Sequence, residues 1–399
     1  MAHTLITFLG KGSKKESGYR QADYCFESGV CRTTPYFGLA LLKELAHGGK
    51  PVDHLVVLGT ASSIWDALLI DEMRDSDLWM ELSERVENST VDDAILKRVA
   101  DDITAHFTTA NLARRVSLRI IPFARDNQEQ IAILRLMADM VASGDQVSLD
   151  ISHGFRTLPM LGLISALFLQ QVKRAAILGI YYGALEMTQP GEPTPVVRLD
   201  GLLRIAHWLN AISAFRVSGD YGLFAPLVAD QDAANSFQQA GFLEKTLNVT
   251  QARKHLQQAV AHFPEMSAND PVFALFTDEL QNFTGWTEER TLAKRQLATA
   301  RNALDTGNYM QAAALAVEAC ITHHLPPGAD PNNFQDRETA KSYIPNLPAY
   351  KELKDLRNAL AHGTRANRNT YNQQATLATP SNFEQRLSHL LEEIRKIIH

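Results

Sequence analysis

Short apolar runs, each closed by a small or polar residue, recur through the first 200 residues and limit the fold more than any other feature. They are "TLITFLG" at 4–10, "HLVVLGT" at 54–60, "VSLRIIPF" at 116–123, "QVSLDIS" at 146–152 and "AAILGIYYGAL" at 175–185. Helical spacing separates them. Ile131, Leu134, Met137, Ala138 and Val141 fall on one face of "NQEQIAILRLMADMVAS", and an apolar helix runs from Leu158 to about Val172. Runs this continuous are buried on both faces. Short strands alternating with helices predict a mainly parallel sheet covered on both sides. In such a sheet, ligands sit beyond the carboxyl ends of the strands.

The texture changes after "QPGEPTPVVRLDG", where Pro190, Pro193 and Pro195 mark turns and Val196–Leu199 reads as one edge strand. From Leu202 onward the patterns are almost all helical, with one break at "PPGADPNN", 326–333. An α/β half is therefore followed by an all-α half.

Bulk composition excludes several classes. The 399 residues predict two or three domains, and 45% hydrophobic with 21% charged residues suits a globular chain with sizeable cores. A net charge of −6 gives no global basic field for nucleic acid. Charge is uneven: Asp71–Asp102 holds eleven acidic residues against four basic ones, which reads as a solvated helical face, whereas Lys351–His399 has eight basic against five acidic. Cys25, Cys31 and Cys320 are too few for a disulfide framework and wrongly spaced for zinc. The start lacks a secretory pattern, and no apolar run reaches the roughly 18 residues of a membrane helix. A cytoplasmic location is expected.

The strand ends carry the chemistry. Gly10, Lys11, Gly12 and Ser13 follow the first run. They read either as a plain turn or as a phosphate cradle, since glycines admit close approach and a lysine adds charge. The dinucleotide and Walker fingerprints are both absent. Thr60, Ala61, Ser62 and Ser63, after Gly59, read as an anion site at a helix start or as a serine cap. Asn127 is a candidate cap after the third run. After the fourth, Asp150 sits in a buried strand, and Ser152, His153, Gly154 and Arg156 cluster at its exit. Histidine and arginine beside a glycine offer donors to a polar ligand.

These residues carry a resemblance. "DISHGFRTLP" before an apolar helix, with "TLITFLG" and "VVLGTASS", resembles the CARF sensor domain of type III CRISPR ancillary proteins over residues 1–200. The resemblance implies a Rossmann-like sheet and a homodimer. It also implies cyclic oligoadenylate, tetra- or hexa-adenylate, as activator, bound by loops after the first and fourth strands. Those loops are Gly10, Lys11, Gly12 and Ser13, then Ser152, His153, Gly154 and Arg156, with Thr60–Ser63 lining the same crevice and Asn127 as a further candidate contact.

In the helical half, "KELKDLRNALAHG" puts Leu353, Leu356 and Leu360 on one face, with Gly363 placed to end the helix. His362 in the last turn reads as a cation favoured by the helix dipole, and Arg357 as a partner of Glu352 or Asp355. The second reading is catalytic. Together with "ARNALDTGNYMQAAALAVEAC", the segment resembles a HEPN domain, whose mark is an arginine followed at four to six residues by a histidine. Here these are Arg357, Asn358 and His362, with Tyr309 through Glu318 as the companion helix. The combined resemblance is to the CARF–HEPN ribonucleases. It implies a sensor at 1–200, a helical connecting region at 201–290 and a ribonuclease domain at 291–399. The implied activity is metal-independent endonucleolytic cleavage of single-stranded RNA.

RNA supplies its own nucleophile, the 2′-OH. Histidine moves a proton near neutral pH and arginine stabilises phosphate charge. The products expected are a 2′,3′-cyclic phosphate and a 5′-hydroxyl. Positions five apart on a helix diverge by about 140°, so one helix does not bring Arg357 and His362 together, and a dimer is expected. His323 and His324, being adjacent, face apart. The alternative is a non-catalytic sensor whose helical half binds a partner or nucleic acid. An oxidoreductase is disfavoured by the missing glycine fingerprint.

Overall fold

Strand β1 (His3–Leu9) is buried at all seven positions, and its side chains sort by parity. Leu5 and Leu9 join the core on one face of the sheet; Ile6 and Phe8 join the core on the other. The same alternation runs through the strand Val52–Gly59, where Leu55 and Val57 oppose Val56 and Leu58. Period-two geometry explains why a continuous apolar run is needed when both faces are covered. The computed structural model describes residues 1–12, 14–15, 18–68, 76–154, 157–344, 346–362, 376 and 379–399.

After β1 come the small hairpin β2 (Lys14–Lys15) and β3 (Gly18–Tyr19), then β4 (Ala22–Cys25), β5 (Cys31–Thr34) and α1 (Phe37–His47). β6 (Val52–Gly59) leads to α2 (Asp77–Glu87), α3 (Asp93–Thr109) and β7 (Ala113–Ile120). α4 (Asn127–Asp139), β8 (Gln146–Asp150), α5 (Thr157–Lys173), β9 (Ala176–Gly183) and β10 (Thr194–Arg198) complete the first unit. The sheet order is β5-β4-β10-β9-β8-β1-β6-β7. β9, β8, β1, β6 and β7 run parallel, as the alternating pattern requires.

The far edge is mixed: the strand expected at Val196–Leu199 is present as β10, but it is not at the edge, because the β4–β5 hairpin, which the sequence did not reveal, lies outside it. β10 is antiparallel to β9, and the β4–β5 hairpin inserts beside β10. Cys25 and Cys31 lie directly opposite each other in that hairpin and are joined as a disulfide. Two cysteines six residues apart are too few for a framework, yet a tight hairpin makes them neighbours. α1 to α3 cover one face of the sheet and α4 with α5 the other. The acidic stretch at 71–102 thus has two sides where it is described, from 76 on. Leu82, Val86, Ile95 and Val99 are core, and Glu81 pairs outward with Arg85 and Arg98.

The chain divides into compact units at Met1–Leu203 and Arg204–His399. The second unit holds most of α6 (Asp200–Ser218), then α7 (Gln231–Lys245), α8 (Val249–Ala261), α9 (Phe263–Asn269) and α10 (Pro271–Ala274). α11 (Thr277–Thr284), α12 (Leu292–Asp305), α13 (Tyr309–His323), α14 (Phe334–Tyr343), α15 (Pro348–His362) and a C-terminal helix, Pro380–Ile398, follow. One hydrophobic cluster runs from Trp208 through Leu297, Leu315 and Leu353 to Ile398. Among the described residues no helix is long and apolar enough to cross a membrane.

Candidate functional site

The strand order reverses direction between β1 and β8. From β1 the chain winds outward through β6 and β7, then crosses back to β8 and on to β9. α1 and α3 lie on one face, α4 and α5 on the other, so the carboxyl ends of β1 and β8 are where such a sheet is expected to form its ligand crevice. The loops with the predicted residues meet there. A Cβ added to Gly10 would lie 3.1 Å from the backbone nitrogen of Gly154. Gly154 itself has φ +110°, open to glycine and strained for other residues.

Asp150 anchors the floor of this crevice. It is fully buried, accepts from the Ser152 backbone N–H at 2.8 Å and accepts from the Thr7 hydroxyl. Thr7 also bonds the Tyr36 hydroxyl at 2.8 Å. Burial pushes the Asp150 carboxyl up, against the opposing pull of His153 and the two hydroxyl groups. The Ser152 hydroxyl accepts from the Gly183 N–H at 2.6 Å. His153 is also engaged: its Nε2 accepts from the Phe37 N–H at 3.1 Å, at the start of α1. Tyr36, the residue before that helix, provides no side-chain cap, so the imidazole satisfies a helix-end donor from a distance. Burial lowers its pKa, in keeping with a neutral ring whose Nε2 is the acceptor. The sequence pointed to His153 as a ligand donor; in the structure its Nε2 is engaged with the start of α1.

The second loop departs from expectation in one respect. Among the described residues the segment that follows Ser63, Trp65–Leu68, is 3₁₀ and not α-helical, and four residues are too short to focus a dipole. Ser63 ties two loops together. Its hydroxyl accepts from the Thr60 N–H at 2.9 Å and donates to the Leu9 carbonyl at 2.7 Å, while Ile64 N–H donates to Gly10. Thr60 and Ser63 are buried; Ala61 and Ser62 are half-buried at the rim, and Lys11 and Gly12 are exposed. Ser63→Ala is expected to leave a buried donor unpaired and cost about 1–3 kcal/mol. A fall of several degrees in Tm would register this, and an unchanged Tm would refute it.

Asn127 is not the cap of α4. Asp126 holds that place, with Oδ1 accepting from Glu129 N–H at 2.9 Å, and Asn127 is the first helical residue. Aspartate and asparagine cap about equally well, so only the backbone path decided between neighbours. Ser13 and Arg156 lie outside the described residues.

In the second unit, α15 carries Arg357, Asn358 and His362. Leu353 and Leu356 are buried in the core, and Glu352 is bound by Arg386 of the C-terminal helix, at 2.7 Å from Nε. That pair removes one of the carboxylates considered for Arg357. Arg357 is half-buried, and its Nη2 donates to the Asn358 carboxamide oxygen at 2.8 Å; His362 is exposed at the helix end. The five-residue offset on one regular helix keeps the two catalytic candidates on diverging faces. Gly363, expected to end the helix, lies outside the described residues. On α13, Glu318 pairs with Arg337 and Tyr309 donates to Glu384. Among the described residues no group of three or more His, Cys, Asp or Glu is arranged to hold a metal ion.

Comparison with known proteins bears on the first unit most directly. Residues 4–185 match the family model for the CARF domain of the CRISPR system endoribonuclease Csx1. The chain is also 24% identical over 404 residues to "CRISPR-associated protein MJ1674" of Methanocaldococcus jannaschii. That alignment covers 91% of this chain and 62% of the relative, so the chain spans less than two thirds of that protein's length.

Proposed function

We propose that the chain is a CARF-containing ancillary protein of type III CRISPR systems and an endoribonuclease switched on by cyclic oligoadenylate; the match of residues 4–185 to the CARF family model supports the first part. The observation that carries the proposal is the meeting of the Gly10 and Gly154 loops at the β1/β8 reversal, on a floor fixed by Asp150. Backbone N–H groups beside these glycines, with Lys11 at the rim, suit a ring of phosphates and adenines. Ala61 and Ser62 extend the same rim, with Thr60 buried behind them, and Ser13 and Arg156 are proposed contacts on sequence grounds. Ser152, His153 and Ser63 position the loops.

A second copy of the chain belongs to this reading. α5, next to the Gly154 loop, exposes Met160 at 74% and Ile164 at 54%, one helical turn apart. An apolar pair so placed favours a partner surface across the crevice. Two copies also answer the divergence of Arg357 and His362, because a composite site draws on two α15 helices. In the proposed reaction the 2′-oxygen attacks phosphorus and the bond to the 5′-oxygen breaks. His362 moves the proton, while Arg357, held by Asn358, stabilises the phosphorane charge. Activator shifts the equilibrium to the extent that it binds the active arrangement more tightly.

The test is incubation of labelled single-stranded RNA with and without cyclic tetra- or hexa-adenylate. Cleavage to 2′,3′-cyclic phosphate ends with one ring size supports the reading. No cleavage with either, alongside measurable ring binding, favours a non-catalytic sensor. Gly10→Ala is expected to weaken ring binding about tenfold, since the new methyl meets backbone that has no flexible side chain to give way. Gly201→Ala, with open space around it, is the control. Equal affinity in both variants would remove the Gly10–Gly154 approach from the binding site.

A further inference from the structure

The helical unit holds a cavity that the proposed reaction does not use. Its volume is about 350 Å³, and α6, α7, α11, α12 and α13 all contribute to its wall. Pockets for small ligands begin at about this size. Phe215, Tyr221 and Phe283 give it aromatic surface, and Asn282, Asn302 and Gln311 bring amide groups. The distinctive element is Glu244. It is only 7% exposed, it lines the cavity, and its Oε2 has no hydrogen-bond partner among the described residues. Buried carboxyl oxygens are almost always paired, so an unpaired carboxyl on a cavity wall is a place where a polar ligand can supply the missing bond.

The wall favours one chemistry. Burial, with the negative charge of Asp220, pushes the Glu244 carboxyl up to about 8. At neutral pH it therefore offers one donor and one acceptor side by side. A metal ion or an ammonium group needs the ionised form, which this environment opposes. A planar heterocycle with an adjacent donor and acceptor on one edge fits the neutral form, and the aromatic walls suit its faces. Lys245 and Arg216 reach solvent from the same wall, with side chains 55% and 64% exposed, paired to Asp220 and Glu279. Asp305, also on the wall, is paired to Arg301. Two cations at the rim and a neutral polar group at depth match a phosphate joined to a base.

We propose that this cavity binds the nucleobase of a nucleotide, with Glu244 pairing to the hydrogen-bonding edge of the base and Lys245 and Arg216 meeting its phosphate. The source is a free nucleotide or one unstacked base of single-stranded RNA. Binding does not depend on whether α15 is catalytic, so the two proposals fail separately.

Trp286 gives a readout, because its Nε1 donates to the Tyr221 hydroxyl at 3.1 Å, one bond behind the wall. The full chain is titrated by tryptophan fluorescence with AMP, CMP, GMP and UMP, and with a 2′-O-methyl RNA hexamer that resists cleavage. At least one probe is expected to bind with Kd below about 1 mM. Binding by the hexamer alone assigns the site to RNA, and binding by mononucleotides assigns it to free nucleotide. Glu244→Met, similar in size without the hydrogen bonds, is expected to weaken binding at least about tenfold. Glu244→Gln keeps a donor and an acceptor, so it is expected to stay within about threefold of the parent at pH 6.5 and to lose the parent's decline at pH 9. No binding of any probe, or parent-like affinity in a folded Glu244→Met chain, overturns the proposal.

Discussion

Replacing His362 with alanine is expected to cut activator-stimulated RNA cleavage by about 10²–10⁴-fold, the range a positioned proton donor or acceptor contributes. Ring binding by the first unit should be unchanged, because His362 belongs to α15 of the second. Its side chain is exposed, so loss of packing does not explain a fall in rate. The diverging faces of α15 add a sharper expectation. Inactive Arg357→Ala and His362→Ala chains, mixed and allowed to exchange, should regain part of the activity if one site draws on two copies. Cleavage by His362→Ala at the parent rate would end the catalytic assignment. Mixed chains as inactive as each alone would end the composite site.

The second large effect is on stability. The Glu244 carboxyl, pushed from 4.5 to about 8 chiefly by burial, holds its proton in the folded chain over a range where the unfolded chain has lost it. A raised acid favours folding fully below about pH 4.5, and that advantage drains away as pH rises to about 8. Each pKa unit is worth about 1.4 kcal/mol, so the change across the interval amounts to a few kcal/mol. Glu244→Gln removes this one titration and leaves every other group in place. The variant should therefore gain on the parent steadily between pH 5 and pH 8, then run level with a constant lead. Denaturant midpoints for both chains at pH 5, 7 and 9 measure the gap. A gap that stays constant from pH 5 to pH 9 would show that Glu244 is not held protonated.

Legibility differed by element. β1, β6 and β8 were plain because a strand buried on both faces must be apolar at every position, and few other segments are. β4 and β5 were hidden because "ADYC" and "CRTT" are short, partly exposed and half polar, with no period to detect. Their pairing joins Cys25 to Cys31, which the count of three cysteines argued against. α15 was readable from the helical spacing of Leu353 and Leu356, both buried in the structure. Glu244 was passed over because, in "GFLEKTLN", a glutamate beside a lysine looks like helix surface; only the tertiary fold of the helical unit buries it.

By itself the sequence determined that a mainly parallel sheet precedes a helical unit, and that the glycines and polar residues fall at strand exits. Those follow from local rules, namely apolar runs, their period and the residues that end them. The tertiary structure decided which exits meet. It set β1 between β8 and β6, brought Gly10 against Gly154, and turned the His153 Nε2 toward the start of α1. It also buried Glu244 without a partner. Such outcomes depend on contacts between residues more than a hundred positions apart, as with His153 and Phe37, or on which side of a helix is covered. No local pattern encodes either, because the same residues are equally compatible with solvent until another element packs on them.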